Sequence, residues 1–166
     1  MRYLNKIVFL NSAHIPYSEI QLDGNVHFIG TQGVGKSTLL RAILFFYNAD
    51  TQRLGIPVEK KSYQDYYFPY ADSSIIYEVA REDGWFTVLS YKTMNRICYR
   101  FIASPYRPDL FIDEEGAPYP SDRIRSVLDK NGIKYSGAVS TYEEYRNILY
   151  GNSDNKRDYS CYSLIC

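Results

Sequence analysis

Gly30-Thr31-Gln32-Gly33-Val34-Gly35-Lys36-Ser37 spells G-x-x-x-x-G-K-S, the P-loop or Walker A pattern. An apolar run, Val26-His27-Phe28-Ile29, leads into it, and a helix-forming run from Ser37 to Tyr47 leads out. Strand, loop and helix in that order are the setting in which the pattern carries meaning. A chance match to the letters alone is on the order of one in a hundred for a chain of this length. The stretch therefore reads as a nucleotide phosphate site.

The residue types explain the chemistry. Gly30, Gly33 and Gly35 let the backbone adopt positive φ and approach an anion with no Cβ in the way. The successive N–H groups of Gly30 to Thr38, including those of Thr31, Gln32 and Val34, then form a concave nest at the positive end of the following helix. Lys36 reaches the β- and γ-phosphates of ATP as a point charge and stabilises the charge that develops there. The Ser37 hydroxyl is the expected ligand of Mg²⁺, which keeps most of its waters. Thr38 is placed to reach the α-phosphate.

Composition narrows the remaining classes. The chain has 166 residues, one domain's worth. Lys plus Arg and Asp plus Glu number 19 each, so net charge supplies no footprint for nucleic acid, although a local patch stays open. Cys98, Cys161, Cys166, His14 and His27 make no zinc-binding spacing. With no signal peptide and no long apolar span, a cytoplasmic setting without membrane contact is expected. The 18 tyrosines are unusual and point to a half-wet core or an interface.

Two strands are expected before the P-loop strand, over residues 3–10 and 18–22. Asn11 to Pro16 forms a loop between them, and Asp23-Gly24-Asn25 is a turn. His14, in that loop, is either solvated or near the nucleotide, and His27 belongs to a strand. The helix after the P-loop is apolar nearly all round, which predicts cover on more than one side, either between layers or against a partner. Residues 51 to 72 read as a long linker, with Arg53, Lys60 and Lys61 beside Tyr63, Tyr66, Tyr67, Phe68 and Tyr70. Those aromatics either dock the linker on the core or join the basic residues in binding single-stranded nucleic acid.

The period then changes to two. Ile75 to Ala80, Trp85 to Tyr91 and Arg96 to Ile102 predict an antiparallel meander. Asp83-Gly84 marks a type I′ turn, and Asp109 to Asp113 is a candidate fourth strand. Helices follow from Ser121 to Lys130 and from Thr141 to Tyr150, the second with capping-box spacing at Thr141 and Glu144. The division is a lobe over 1–150 and a tail over 151–166. The tail turns apolar from Tyr159, which suggests that the native chain continues.

This order of elements resembles the N-terminal lobe of an SMC-like ABC ATPase head, the group that includes RecN, RecF and the SMC proteins. Those heads usually carry G-x-N-G-x-G-K-S. Gly30, Gly33, Gly35, Lys36 and Ser37 match, and Gln32 replaces the Asn. Thr38-Leu39-Leu40-Arg41-Ala42-Ile43 looks like the family's helix after the loop. Leu110 to Gly116, followed by Ile124, Leu128 and Gly132-Ile133, looks like its strand–turn–helix before the coiled coil. The resemblance implies an α/β P-loop NTPase fold, an ABC-type head lobe with an antiparallel β meander and a P-loop helix. It further implies ATP and Mg²⁺ as ligands, a C-terminal lobe and a second head as partners, and work on DNA in repair, chromosome organisation or defence. Arg53 lies where such heads often keep an arginine near nucleotide or DNA. Neither a Q-loop glutamine nor a Leu-Ser-Gly-Gly-like signature occurs in the chain, so hydrolysis would need a lobe supplied from elsewhere.

Two other readings stand beside it. Leu110-Phe111-Ile112-Asp113-Glu114 has the letters of a Walker B strand. Asp113 would then hold Mg²⁺ through water and Glu114 would be the general base of a self-sufficient small ATPase or kinase. Against it, Glu115-Gly116 reads as a turn closing an antiparallel strand, whereas Walker B strands run parallel to the P-loop strand. In a third reading the loop stays empty and the chain is a non-enzymatic interaction domain.

Overall fold

The structure is a computed structural model that describes residues 1–22, 27–29, 35–48, 62–152 and 159–165. Its centre is a six-stranded antiparallel sheet. The strands are β1 (Tyr3–Ser12), β2 (Ile15–Gln21), β3 (His27–Ile29), β4 (Ser74–Arg81), β5 (Gly84–Thr93) and β6 (Arg96–Ile102), in the order β3-β2-β1-β4-β5-β6. Side chains alternate between two apolar layers, as the two-residue period demands. Ile7, Phe9, Tyr77, Val88 and Phe101 face one layer; Val8, Leu10, Ile76, Leu89 and Ile102 face the other.

The first layer is covered by α1 (Lys36–Asn48), α2 (Tyr63–Tyr67), α4 (Tyr142–Leu149) and a 3-10 turn at Ser160–Tyr162. The second is covered by a 3-10 turn at Pro108–Leu110 and by α3 (Ser121–Lys130). Thr141 caps α4 as expected, its hydroxyl accepting from Glu144 N at 3.2 Å. The apolar tail docks as well. Tyr162 is fully buried, with its ring 5.4 Å from Phe101 and 6.1 Å from Phe86.

Several sequence readings need correcting. The expected loop Asn11–Pro16 is a tight turn, because Ser12 pairs with Ile15 and the chain reverses at Ala13 and His14. Both lie at positive φ, 52° and 63°, the pattern of a type I′ turn built without glycine or asparagine. The type I′ signature of the meander falls at Met94 and Asn95, φ 50° and 62°, rather than at Asp83-Gly84. In the β4–β5 turn Arg81 pairs with Gly84, and only Gly84 has positive φ. The linker ends in α2, capped by Ser62, whose side chain accepts from Asp65 N at 3.1 Å. No strand forms over 109–113, where Pro108 and Asp109 start the 3-10 turn and Asp113 closes the turn that follows. Of the two ways to cover α1, burial between layers of this chain is incomplete. Leu40, Leu44 and Tyr47 are 55%, 39% and 38% exposed, while Leu39, Ala42, Phe45 and Phe46 are buried.

The two edges of the sheet are treated differently. Residues 134–139 run along β6, where Tyr99 and Val139 exchange two backbone bonds of 2.8 Å. Ser136 N adds another to Phe101 O. Among the described residues β3 pairs only with β2.

The packing centre is aromatic. Phe45 stacks on Tyr63 at 4.7 Å and on Tyr99 at 5.8 Å, and Tyr99 stacks in turn on Tyr145 at 4.3 Å. Phe45→Ala should therefore cost about 3–5 kcal/mol, read as a lowered urea midpoint. Burial also pushes the phenols of Tyr63, Tyr77 and Tyr145 well above their ordinary range. A raised phenol holds its proton more tightly in the folded chain. Its contribution is thus fully present below about pH 10 and is lost as pH rises beyond that, by about 1.4 kcal/mol per pH unit for each such group. Urea titrations between about pH 9 and 11 should show stability falling steeply, and Tyr145→Phe should flatten that slope.

Candidate functional site

The site builds from the first turn of α1. Gly35, Lys36 and Ser37 are exposed there, and Thr38 is half-buried. The first turn contains no acidic residue and the last no basic one. Lys36 therefore sits at the positive end of the helix, beside amide groups with no partner inside the helix. Such an arrangement opposes itself unless an anion joins it. Gly30, Thr31, Gln32, Gly33 and Val34 lie outside the described residues, as does Arg53.

Helix α2 fastens this turn, and the β1–β2 turn braces α2 in its place. Tyr67, on α2, donates its hydroxyl to Thr38 O at 2.7 Å, and its neighbour Tyr66 places its hydroxyl 3.3 Å from Thr38 Oγ1. The β1–β2 turn closes over α2, with Ala13 N donating to Tyr66 O at 3.3 Å. The His14 ring meets Tyr66 edge-on at 5.7 Å between centroids. Asn11 and Asp72 add a side-chain bond of 3.3 Å, and the Ser73 hydroxyl donates to Asn11 O. His14 is thus joined through one tyrosine to the helix that carries Lys36 and Ser37. The sequence hinted at the aromatics but not at their order, because α2 is too short to announce itself by periodicity.

Asp113 and Glu114 are elsewhere. Leu110 and Phe111 are buried in the layer beneath α3, on the opposite face of the sheet from α1. Asp113 Oδ1 accepts from Glu115 N and Ala117 N, both at 2.9 Å, so its carboxylate organises a turn. Glu114 is exposed. Both border an open groove of about 670 Å³ that also meets Arg123 and Lys130 of α3. The structure does not bring either carboxylate to Ser37, and the Walker B reading loses the parallel strand it requires. Among the described residues no group of three His, Cys, Asp or Glu side chains is placed to hold a metal ion. Nor is any helix among them long and apolar enough to cross a membrane.

The remaining ionic pairs lie outside this site. Arg2 forks onto Glu82 at 2.7 Å and also donates to Ser163 O and Ile165 O, which ties the two described ends of the chain together. That guanidinium holds the Glu82 carboxyl down at about 2. Lys6 pairs with Glu19 at 2.7 Å. Buried Glu78 is satisfied by Asn5 Nδ2 at 2.8 Å and Tyr106 N at 2.7 Å, and so anchors the segment leading to α3.

The α2 clasp has a measurable consequence. Tyr67→Phe removes one hydroxyl bond to the first turn of α1 and should cost about 1 kcal/mol. Amide exchange should quicken at Leu39 and Leu40 while β4 and β5 keep their protection. Uniform acceleration across the sheet would show that the clasp is not local.

No curated protein and no solved structure matches the chain. One family does, over residues 13–159, a span that takes in β2, α1, the meander, α3 and α4. The chain belongs to DUF3584, a family of proteins of unknown function.

Proposed function

We propose that this chain is the ATP-binding N-terminal lobe of an SMC-like ABC ATPase head, with a P-loop NTPase fold. The observation that carries the reading is G-x-x-x-x-G-K-S lying between strand β3 and helix α1, with Lys36 and Ser37 exposed on a helix turn that lacks any acid. The loop amides and Lys36 would hold the β- and γ-phosphates. The exposed Ser37 hydroxyl fits Mg²⁺, because that ion needs few protein oxygens once phosphates and waters complete its shell. Bound there, Mg²⁺ would neutralise the phosphate charge.

Two further features support a lobe whose partner completes it. The outer stripe of α1, Leu40, Leu44 and Tyr47, is apolar and exposed. The strand that feeds the P-loop has a free edge among the described residues, whereas β6 is covered. A C-terminal lobe that adds strands beside β3 and covers this stripe would satisfy both. Hydrolysis also needs an oriented water and a base, and Glu114 faces the wrong side of the sheet. Those groups would come from that lobe and from a second head. Work on DNA follows from the resemblance alone.

ATP binding followed by calorimetry tests the reading. The chain should bind MgATP weakly, and Lys36→Ala should abolish the heat while leaving the unfolding free energy from urea titration within about 0.5 kcal/mol, as for an exposed side chain. Turnover should be negligible and indifferent to Glu114→Gln. Robust hydrolysis that disappears in Glu114→Gln would overturn the proposal. Unchanged ATP binding in Lys36→Ala would favour a non-enzymatic interaction domain.

A further inference from the structure

Thr38 is bonded twice from α2, and the two bonds act on different atoms. Tyr67 grips the backbone carbonyl at 2.7 Å, which fastens the helix turn. Tyr66 meets the side chain instead, its hydroxyl 3.3 Å from Thr38 Oγ1. A bond to a rotatable hydroxyl adds little hold on the backbone. What it fixes is the direction of the Thr38 O–H.

Tyr66 is itself held in place. Its ring meets the Tyr67 ring edge-on at 4.9 Å and the His14 ring edge-on at 5.7 Å. Its carbonyl accepts from Ala13 N at 3.3 Å, and Ser62 caps the short helix that carries it. The strand register gives this cluster its place. His27 pairs with Gln21 and Ile29 with Glu19, so β3 runs toward the β1–β2 turn. Tyr66 therefore stands at the end of the sheet where β3 leads into the P-loop, and it touches the first turn of the helix that follows the loop.

We infer that Tyr66 is a positioning residue of the nucleotide site: its hydroxyl donates to Thr38 Oγ1 and so aims the Thr38 proton at the α-phosphate. The inference rests on the nucleotide reading of the P-loop, and its logic is a proton count. A hydroxyl has one proton and two lone pairs, whereas an ionised phosphate oxygen only accepts. Thr38 reaches a phosphate by donating its sole proton, so a bond kept to Tyr66 at the same time must be donated by Tyr66. Without that donor the Thr38 hydroxyl is at liberty to turn and bond a carbonyl of the preceding turn, as threonine does in helices. With it, the chain from the Tyr66 O–H through the Thr38 O–H to the phosphate is polarised in one direction, and each bond strengthens the next. A side chain locked by two rings and a backbone bond is suited to this task, because it is ordered before the ligand arrives. Tyr66 acts through Thr38 and not on the ligand.

The test is calorimetry with MgATP and with magnesium tripolyphosphate, which offers three linked phosphates and no nucleoside. Tyr66→Phe keeps the ring and removes only the hydroxyl, so it should weaken both ligands about fivefold, the scale of one hydrogen bond. Thr38→Val removes the donor itself and should weaken both about tenfold, as for a bond to a charged group. In the Thr38→Val background, Tyr66→Phe should change binding by less than about twofold, because its effect runs through the missing hydroxyl. Thr38→Ser restores that hydroxyl and should restore the sensitivity to Tyr66→Phe. Tyr67→Phe supplies the structural comparison: it loosens the backbone of the same turn, so its effect should add in full to that of Thr38→Val. Urea titration of each variant confirms that it folds. Three results would overturn the inference while the parent still binds MgATP: parent-like binding by Tyr66→Phe, an effect of Tyr66→Phe that adds to Thr38→Val as that of Tyr67→Phe does, or a loss confined to MgATP, which would put Tyr66 on the nucleoside. If the parent binds neither ligand, the nucleotide reading fails and this inference with it.

Discussion

Helix α1 is held by tyrosine hydroxyls. Tyr67 donates to Thr38 O at 2.7 Å, Tyr77 to Ala42 O at 2.9 Å, Tyr145 to Phe46 O at 2.5 Å and Tyr150 to Tyr47 O at 2.6 Å. The acceptors at 38, 42 and 46 are one helical turn apart, so one side of the helix is gripped along its length. The last two acceptors are carbonyls of the final turn, which have no partner within the helix. Each donor comes from a different element: α2, β4, α4 and the residue that ends α4. A phenol suits this task because its ring fills the apolar layer while its hydroxyl reaches a backbone oxygen. The abundance of tyrosine thus has a structural use, and the same burial that creates it makes the fold vulnerable to alkali.

That grip also explains why α1 can expose Leu40, Leu44 and Tyr47. A helix stabilised only by its apolar stripe would need cover on every apolar side. Here hydroxyl bonds and stacking on Phe45 fix its position from one side, and the outer stripe stays available. The first turn is fixed most closely, by α2 and through it by the β1–β2 turn. Ala13 and His14 are held at positive φ there, at a cost of about 1–2 kcal/mol for each such residue. The turn is stabilised by contacts it makes with α2, including Ala13 N to Tyr66 O.

Much of this was legible in the amino-acid sequence. The helix after the P-loop, the three meander strands, α3 and α4 each have a run long enough for a period to emerge. What stayed hidden had physical reasons. Ala13-His14 carries no residue that prefers positive φ, so its turn is imposed by the pairing of β1 with β2 and not by local preference. Pro108 and Asp109 suit the start of a 3-10 turn, but the apolar run Leu110-Phe111-Ile112 behind them imitates a strand; buried under α3, it needs no sheet partner. The Walker B letters at Asp113 and Glu114 are a by-product of that run meeting an acidic turn. The candidate site was readable as a motif, while Tyr66, Tyr67 and His14 around it were not, because their meeting depends on a five-residue helix.

The topology places the two positive-φ turns relative to each other. In the register of the sheet, Ser12 lies at the β1–β2 turn, Leu10 pairs with Ser74, and Ser74 pairs with Tyr91 near the β5–β6 turn. Both positive-φ turns therefore project from the same end of the sheet. The first turn of α1 reaches that end through Tyr66 and His14, on one face. Arg96 lies at that end on the other face, in step with Cys98 along β6. Four strand spacings separate β2 from β6 in the strand order, roughly 19 Å. A continuous hydrogen-bonded sheet spans that distance, so a displacement of α1 against β1, β2 and β4 has a rigid route to the hairpin. Any coupling between the two turns would run through the backbone of β1, β4 and β5 rather than through direct contact.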